Sequence, residues 1–260
     1  MQAFNYQTAT SLSAAAASAA RGAKLIAGGQ SLLASMRMGL AAPEALVDLG
    51  SLADLRGITV AGGSVKIGAM TIHATVAASA EVQKAIPALA ALAGNIGDRQ
   101  VRNRGTLGGS LANNDPAACY PAAVLGLGAT VHPNTRSIAA DDFFKGLYET
   151  ALAEGEVITA VSFPIPEKAG WQKFKQPASR FSIVGVFVSK GPAGVRVAVT
   201  GAGACVFRAT ALEGLLARQW SAAALQGAQV SAAGLNTDLH GSAEYRAALI
   251  PVLAKRAVGG

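Results

Sequence analysis

Apolar positions recur along the chain with two different periods, one helical and one extended. The stretch 11–22, SLSAAAASAARG, has helical spacing, with Ser11 or Ser13 as a possible N-cap and Gly22 as the stop. AKLIAGG reads as a short buried strand ending on a glycine pair, and ALVDLG as a second strand. In ITVAGGSVKIGAMT, alternation on both sides of Gly62–Gly63 predicts a hairpin. EVQKAIPALAALAGNIG has a helical period with Pro87 near its start. GGSLANN predicts a loop, VLGLGATVH a mixed helix–strand segment, and EVITAVSFPIP a strand closed by two prolines. Beyond these, WQKFKQPASRFSIVGVFVSK, GVRVAVTGAGA and FRATALEGLLAR read as strand, strand and helix. SAEYRAALIPVLAKRAV predicts a C-terminal helix that Pro251 should kink or split. The change of pattern near 164–171 marks the edge between two domains of an α+β protein.

Composition narrows the function classes. The chain has 260 residues, is 51% hydrophobic and carries only 14% charged residues, so much of it is expected to be buried. No run approaches the ~18 strongly apolar residues of a membrane-spanning helix. The alanine-rich start reads as helix rather than export signal, because no basic residue precedes it and alanine is weakly apolar. The net charge of +7 suits an anionic cofactor and acidic partner subunits; the dispersed Trp and Tyr residues do not form a nucleic-acid stacking surface. Two cysteines, Cys119 and Cys205, cannot hold an iron–sulfur cluster, which takes about four. With His73, His132 and His240 they give no metal-ligand spacing, and their number suits a cytoplasmic protein.

Two glycine-rich turns are the candidate chemistry: LIAGGQSLL (Leu25–Leu33) and TLGGSLANNDP (Thr106–Pro116). Glycines let a backbone approach a phosphate closely, and consecutive N–H groups form an anion nest; each turn read alone is equally an ordinary turn. Neither is a dinucleotide G-x-G-x-x-G fingerprint or a Walker loop. Arg99, Arg102 and Arg104, between Gly97 and Gly105, read either as a solvated face or as a loop held at an interface or an anion. Asp115 before Pro116 is a turn initiator or a ligand contact. Cys119 has no neighbour in sequence to activate it. No Ser-His-Asp order or carboxylate pair supports hydrolysis.

The pair AGGQSLL and GDRQVRNRGTLGGSLANNDPAACYPAA resembles the flavin-binding medium subunit of molybdenum hydroxylases, the family of xanthine dehydrogenase and aerobic carbon monoxide dehydrogenase. FNYQTATSLSAAAASAARGAKLIAGGQSLLASMRMGLAAPEALVDLG, LRGITVAGGSVKIGAMTIHATV, KFKQPASRFSIVGV and GSAEYRAALIPVLAKRAV extend the resemblance nearly end to end. It implies an α+β fold: a two-lobed FAD-binding domain of the vanillyl-alcohol-oxidase (PCMH) type over 1–168, with lobes of about 1–57 and 58–168. A smaller α+β domain of the carbon monoxide dehydrogenase flavoprotein C-terminal type follows over 169–260. By resemblance the first turn (Ile26, Ala27, Gly28, Gly29, Gln30, Ser31, Leu32) and the second (Thr106, Gly108, Gly109, Ser110) bracket the FAD pyrophosphate. Asn113, Asn114 and Asp115 are placed along the cofactor, Ile158 and Lys175 beside the flavin ring, and the arginines toward a neighbouring subunit. The family often has an aspartate where this chain has Cys119 and an arginine where it has Gly39.

The implied function is an oxidoreductase electron-transfer subunit without catalytic or metal-ligating residues of its own. Electrons would pass from 2Fe-2S clusters of a small partner subunit through FAD to an external acceptor. A large partner subunit would carry the molybdenum cofactor and oxidise the substrate, the whole forming a dimer of heterotrimers in the cytoplasm or peripheral to the inner face of the membrane. Two other readings compete: a stand-alone vanillyl-alcohol-oxidase-type flavin oxidoreductase and a non-enzymatic nucleotide-binding module.

Overall fold

A computed structural model describes residues 2–259. The N-terminal lobe alternates β1 (Asn5–Thr8), α1 (Leu12–Ala19), β2 (Lys24–Ile26), α2 (Leu32–Arg37) and β3 (Ala45–Asp48). Each helix carries the chain across one face, so the strands pair in parallel in the order β1-β3-β2. Ser11 caps α1 by accepting from the Ala14 amide at 3.1 Å. A small core of Ala9, Ala15, Val47, Leu49 and Leu55 reaches across to Met70 and Val157 of the next lobe.

The middle lobe contains β4 (Ile58–Ala61), β5 (Ser64–Gly68), α3 (His73–Ala78), α4 (Ala80–Ala85), α5 (Pro87–Gly94), α6 (Arg99–Arg102), α7 (Leu107–Asn113) and α8 (Tyr120–Leu127). There follow β6 (Thr130–Pro133), β7 (Ile138–Ala139), α9 (Ala140–Phe143), β8 (Phe144–Gly146), β9 (Glu149–Thr150) and β10 (Ile158–Pro164). Its sheet is antiparallel, ordered β4-β5-β10-β6-β7, with β8 and β9 forming a separate hairpin. The expected hairpin at Gly62–Gly63 is β4–β5, both glycines having positive φ. The single helix expected around Pro87 is two. Ile86 leaves helical geometry at φ −142°, and Pro87 then starts α5, where its missing N–H costs nothing.

The last part is a four-stranded antiparallel sheet, β11 (Lys168–Lys175), β12 (Ser182–Gly191), β13 (Gly194–Thr200) and β14 (Phe207–Arg208), with α10 (Thr210–Arg218) and α11 (Ala243–Gly259). The segment read as one strand from Trp171 is a hairpin, turning at 176–181. β12 reads SIVGVFVS with every one of these residues buried, because both its faces are covered. On one side Val184, Val186 and Val188 pack with Leu212, Leu216, Ile250 and Leu253 of α10 and α11. On the other, Trp171, Phe187 and Ala198 join the core of the middle lobe, where α8 lies. That position, against the last sheet and among the helices of the middle lobe, explains why all eight residues of α8 are buried.

Pro251 does not split α11, which runs continuously from Ala243 to Gly259. Pro251 is itself buried, and Ile250, Leu253 and Ala254 on either side are fixed in the core, so packing holds the helix through the missing hydrogen bond.

Candidate functional site

A cavity of about 610 Å³ opens among the lobes, a size ordinary for a small-molecule or cofactor site. Its walls come from the β2–α2 loop, the start of α7 and the segment after it, the beginning of β10, the β8–β9 turn, and the β11–β12 hairpin. Of the residues singled out from sequence, Ile26, Ala27, Gly28, Gly29, Gln30, Ser31, Leu32, Thr106, Gly108, Gly109, Ser110, Asn113, Asp115 and Ile158 line it.

The two glycine turns meet. A β-carbon at Gly28 would collide with the Arg104 carbonyl oxygen and stand 2.8 Å from the Cα of Gly105. Gly29 has φ +71°, a conformation that only glycine adopts without strain, and it swings the loop toward α2. Among the described residues, no group accepts from the amides of Ala27 to Leu32. A run of unpaired amides on a loop that lines a cavity leaves donors of the kind an anion nest uses.

The second turn is built otherwise. It is not a loop but the start of α7: Thr106 is the N-cap, and its Oγ1 accepts from the Gly109 amide at 3.1 Å. Leu107 donates to the Thr71 carbonyl, Gly108 to Ala69 and Ser110 to Thr106. The glycines here allow close packing: a β-carbon at Gly108 would sit 2.6 Å from that of Ala69, and one at Gly105 would sit 2.5 Å from His73 Nε2. His73 is buried and lines the cavity. Burial, reinforced by the positive charge of Arg102, lowers its pKa to about 4, so the ring is neutral near pH 7.

Two expected residues stand elsewhere. Asn114 is fully buried behind the wall and donates through Nδ2 to the carbonyls of Gly146 and Glu149, at 2.9 and 2.8 Å. Lys175 is exposed and does not line the cavity; Lys173 does. Lys175 is the last residue of β11, where the pairing with β12 shifts past the unpaired Ile183. The Lys173 ammonium donates to the Asn95 carbonyl at 2.7 Å and reaches Cys119 Sγ at 3.4 Å. Cys119, which has no activating neighbour in sequence, is buried and forms part of the cavity wall.

The arginine cluster also divides. Arg102 turns inward and donates to the carbonyls of Ile96 and Gly97, both at 3.1 Å, while Arg99 and Arg104 are exposed. Tyr148 and the 179–181 turn complete the rim; nothing in their local sequence marks them, because only the fold brings them there. Among the described residues no group of His, Cys, Asp or Glu is gathered to hold a metal, and no helix is long and apolar enough to cross a membrane.

Residues 2–166 match the family described as the FAD binding domain in molybdopterin dehydrogenase. The nest and the glycine-to-backbone contact beside it fit the diphosphate of such a dinucleotide, which needs close backbone approach and N–H donors. The medium subunit of nicotine 6-hydroxylase from Paenarthrobacter nicotinovorans is 38% identical over 249 residues, covering 90% of this chain and 88% of that protein. The carbon monoxide dehydrogenase medium chain of Hydrogenophaga pseudoflava is 36% identical over 254 residues, covering 91% and 88%. In structure, carbon monoxide dehydrogenase from Hydrogenophaga pseudoflava superposes with a TM-score of 0.89 at 34% identity, over 99% of this chain and 96% of that one. Quinoline 2-oxidoreductase from Pseudomonas putida 86 gives 0.88 at 31%, again over 99% and 96%. The chain therefore belongs to the FAD-binding medium-subunit family of the molybdenum hydroxylases, oxidoreductases that include carbon monoxide dehydrogenase and xanthine dehydrogenase.

Proposed function

We propose that this chain is the electron-transfer subunit of a molybdenum-containing hydroxylase, standing between the iron–sulfur clusters of a partner and an external acceptor. The observation that carries the reading is the run of unpaired amides from Ala27 to Leu32 on the wall of the cavity. In this reading the loop takes the FAD diphosphate. Thr106, Gly109 and Ser110 close the site opposite it, and Asn113, Asp115 and Ile158 extend the wall. Bound FAD supplies the redox chemistry, which no side chain here offers. Lys173, fixed by Asn95, brings a positive charge to the wall, and the neutral His73 packs against Gly105 beside the second turn. Residues 1–168 form the FAD-binding domain and 169–260 a unit packed against it.

The names of the relatives support a medium subunit among larger and smaller partners. We place an iron–sulfur subunit and a molybdenum-cofactor subunit beside this one, as a cytoplasmic dimer of heterotrimers. Exposed Arg99 and Arg104 are the part of the basic loop free to meet them. The substrate belongs to the large partner. Purification of the complex from its native host, with acid precipitation and metal analysis, tests the reading. We expect one FAD per chain released to the supernatant, together with molybdenum and iron. A colourless complex would refute the flavin site, and an active flavoprotein without molybdenum or iron would favour the stand-alone oxidase.

A further inference from the structure

Tyr148 occupies the turn between β8 and β9, with φ +55°, an uncommon conformation for a bulky residue. It is 59% exposed and lines the cavity, and its hydroxyl donates to Asp115 Oδ2 at 3.4 Å. The two carbonyls that bracket this turn, of Gly146 and Glu149, are the two acceptors of the Asn114 carboxamide. Carbonyls only accept, so the amide nitrogen must face them, and Asn114 Oδ1 is left buried without a partner. Asn114 has φ 42° at the end of α7, a place where glycine is usual; glycine would end the helix equally well but carry no side chain to reach the turn. Among the described residues, the non-glycine residues with positive φ are Asn114, Tyr148 and Arg180. Two of them line the cavity, and the third holds one of those two. Strained backbone of this kind persists where the surroundings over-determine it and gathers at ligand clamps.

We propose that Asn114 is a positioning residue that fixes the β8–β9 turn, so that the Tyr148 ring forms a wall over the bound FAD. The inference rests on the cofactor reading given above. A ring more than half exposed has surface to bury against a flat ligand, and its hydrogen bond to Asp115 keeps it at the rim.

The test is the rate of FAD release from the assembled complex, followed by the recovery of flavin fluorescence on dilution. Tyr148→Ala should speed release about tenfold. Tyr148→Phe, which keeps the ring, should stay within about threefold of wild type. Asn114→Asp replaces the donor with an oxygen facing two carbonyls at nearly unchanged volume, and should speed release about as much as Tyr148→Ala. The double variant should release no faster than Tyr148→Ala alone, because Asn114 acts through Tyr148. Multiplying effects in the double variant, or wild-type release from Tyr148→Ala, would overturn the proposal. Should Asn114→Asp not fold, the exposed Tyr148 variants decide alone. A wild-type complex that holds no FAD would instead bring down the cofactor reading on which this one stands.

Discussion

The two glycine turns look alike in sequence and meet in space, yet they use glycine for different ends. The β2–α2 loop has amides that no group among the described residues accepts from, and Gly29 bends it with a positive φ. At the start of α7 the amides from Leu107 to Ser110 are all satisfied within the protein, and Gly105 and Gly108 are there because Ala69 and His73 leave no room for a β-carbon. One turn offers donors; the other offers closeness. A glycine-rich segment is therefore evidence of anion binding only when its N–H groups are unspent.

Gly28 belongs to the first turn but touches the second, so it is where the contrast breaks most severely. Gly28→Ala drives a methyl group into the Arg104 carbonyl, which is backbone and cannot rotate away. The loop must withdraw, and overpacking of this kind costs ~1–3 kcal/mol or more. We expect the variant to purify without flavin and with a lowered Tm. Full flavin content would mean that the junction of the two turns is not part of the site.

Much of this was legible in the sequence, for reasons that differ from element to element. Ser11, the Gly62–Gly63 hairpin and strands β2 and β3 of the first lobe follow from local capping, turn chemistry and apolar runs, whereas β1 was not read. The helix α7 was not legible, because GGSLANN has poor helix propensity; Thr106 and the carbonyls of Ala69 and Thr71 hold its first turn from outside. The fourteen wall residues that could be named in advance nearly all lie on two contiguous motifs. Lys175 was placed at the site by resemblance, whereas the lysine on the cavity wall is Lys173, two residues earlier. The role of Asn114 was missed because its acceptors lie 32 and 35 residues away in the chain. Arg102 resembled its exposed neighbours until the carbonyls of Ile96 and Gly97 were seen beneath it.

If the second turn is chiefly a packing device, acid should loosen it through His73. The folded-state pKa of about 4 lies below the usual 6.5, so the unfolded chain binds the extra proton first as pH falls. Stability from this residue is present above about pH 6.5 and is lost progressively down to about 4, by roughly 3 kcal/mol in all. Tm measured from pH 7 to 5 should fall more steeply in wild type than in His73→Gln. Glu156, held at about 2 chiefly by the hydrogen bond from Arg136, gives up its own contribution only as pH falls through about 4.5 and below, under the pH 7 to 5 range measured. Equal slopes in the two proteins would show that His73 is not the group that feels the acid.

The smallest effect is the sharpest test of the contrast. Thr106→Ala removes the hydroxyl that caps α7 and releases the Gly109 amide, while leaving every glycine in place. Loss of an N-cap costs about 1 kcal/mol, a drop of a few degrees in Tm for a chain of this size. Thr106→Ser should restore it, since serine offers the same acceptor. If the first loop supplies the donors, flavin retention in Thr106→Ala should stay within about threefold of wild type, because α7 remains packed through Leu107 and Leu111. A loss beyond about a hundredfold, rescued by serine, would mean that the Thr106 hydroxyl or the amide it holds makes a charge-assisted contact to the cofactor. The two turns would then share the diphosphate, and the division between donor and packing element would fail at this residue.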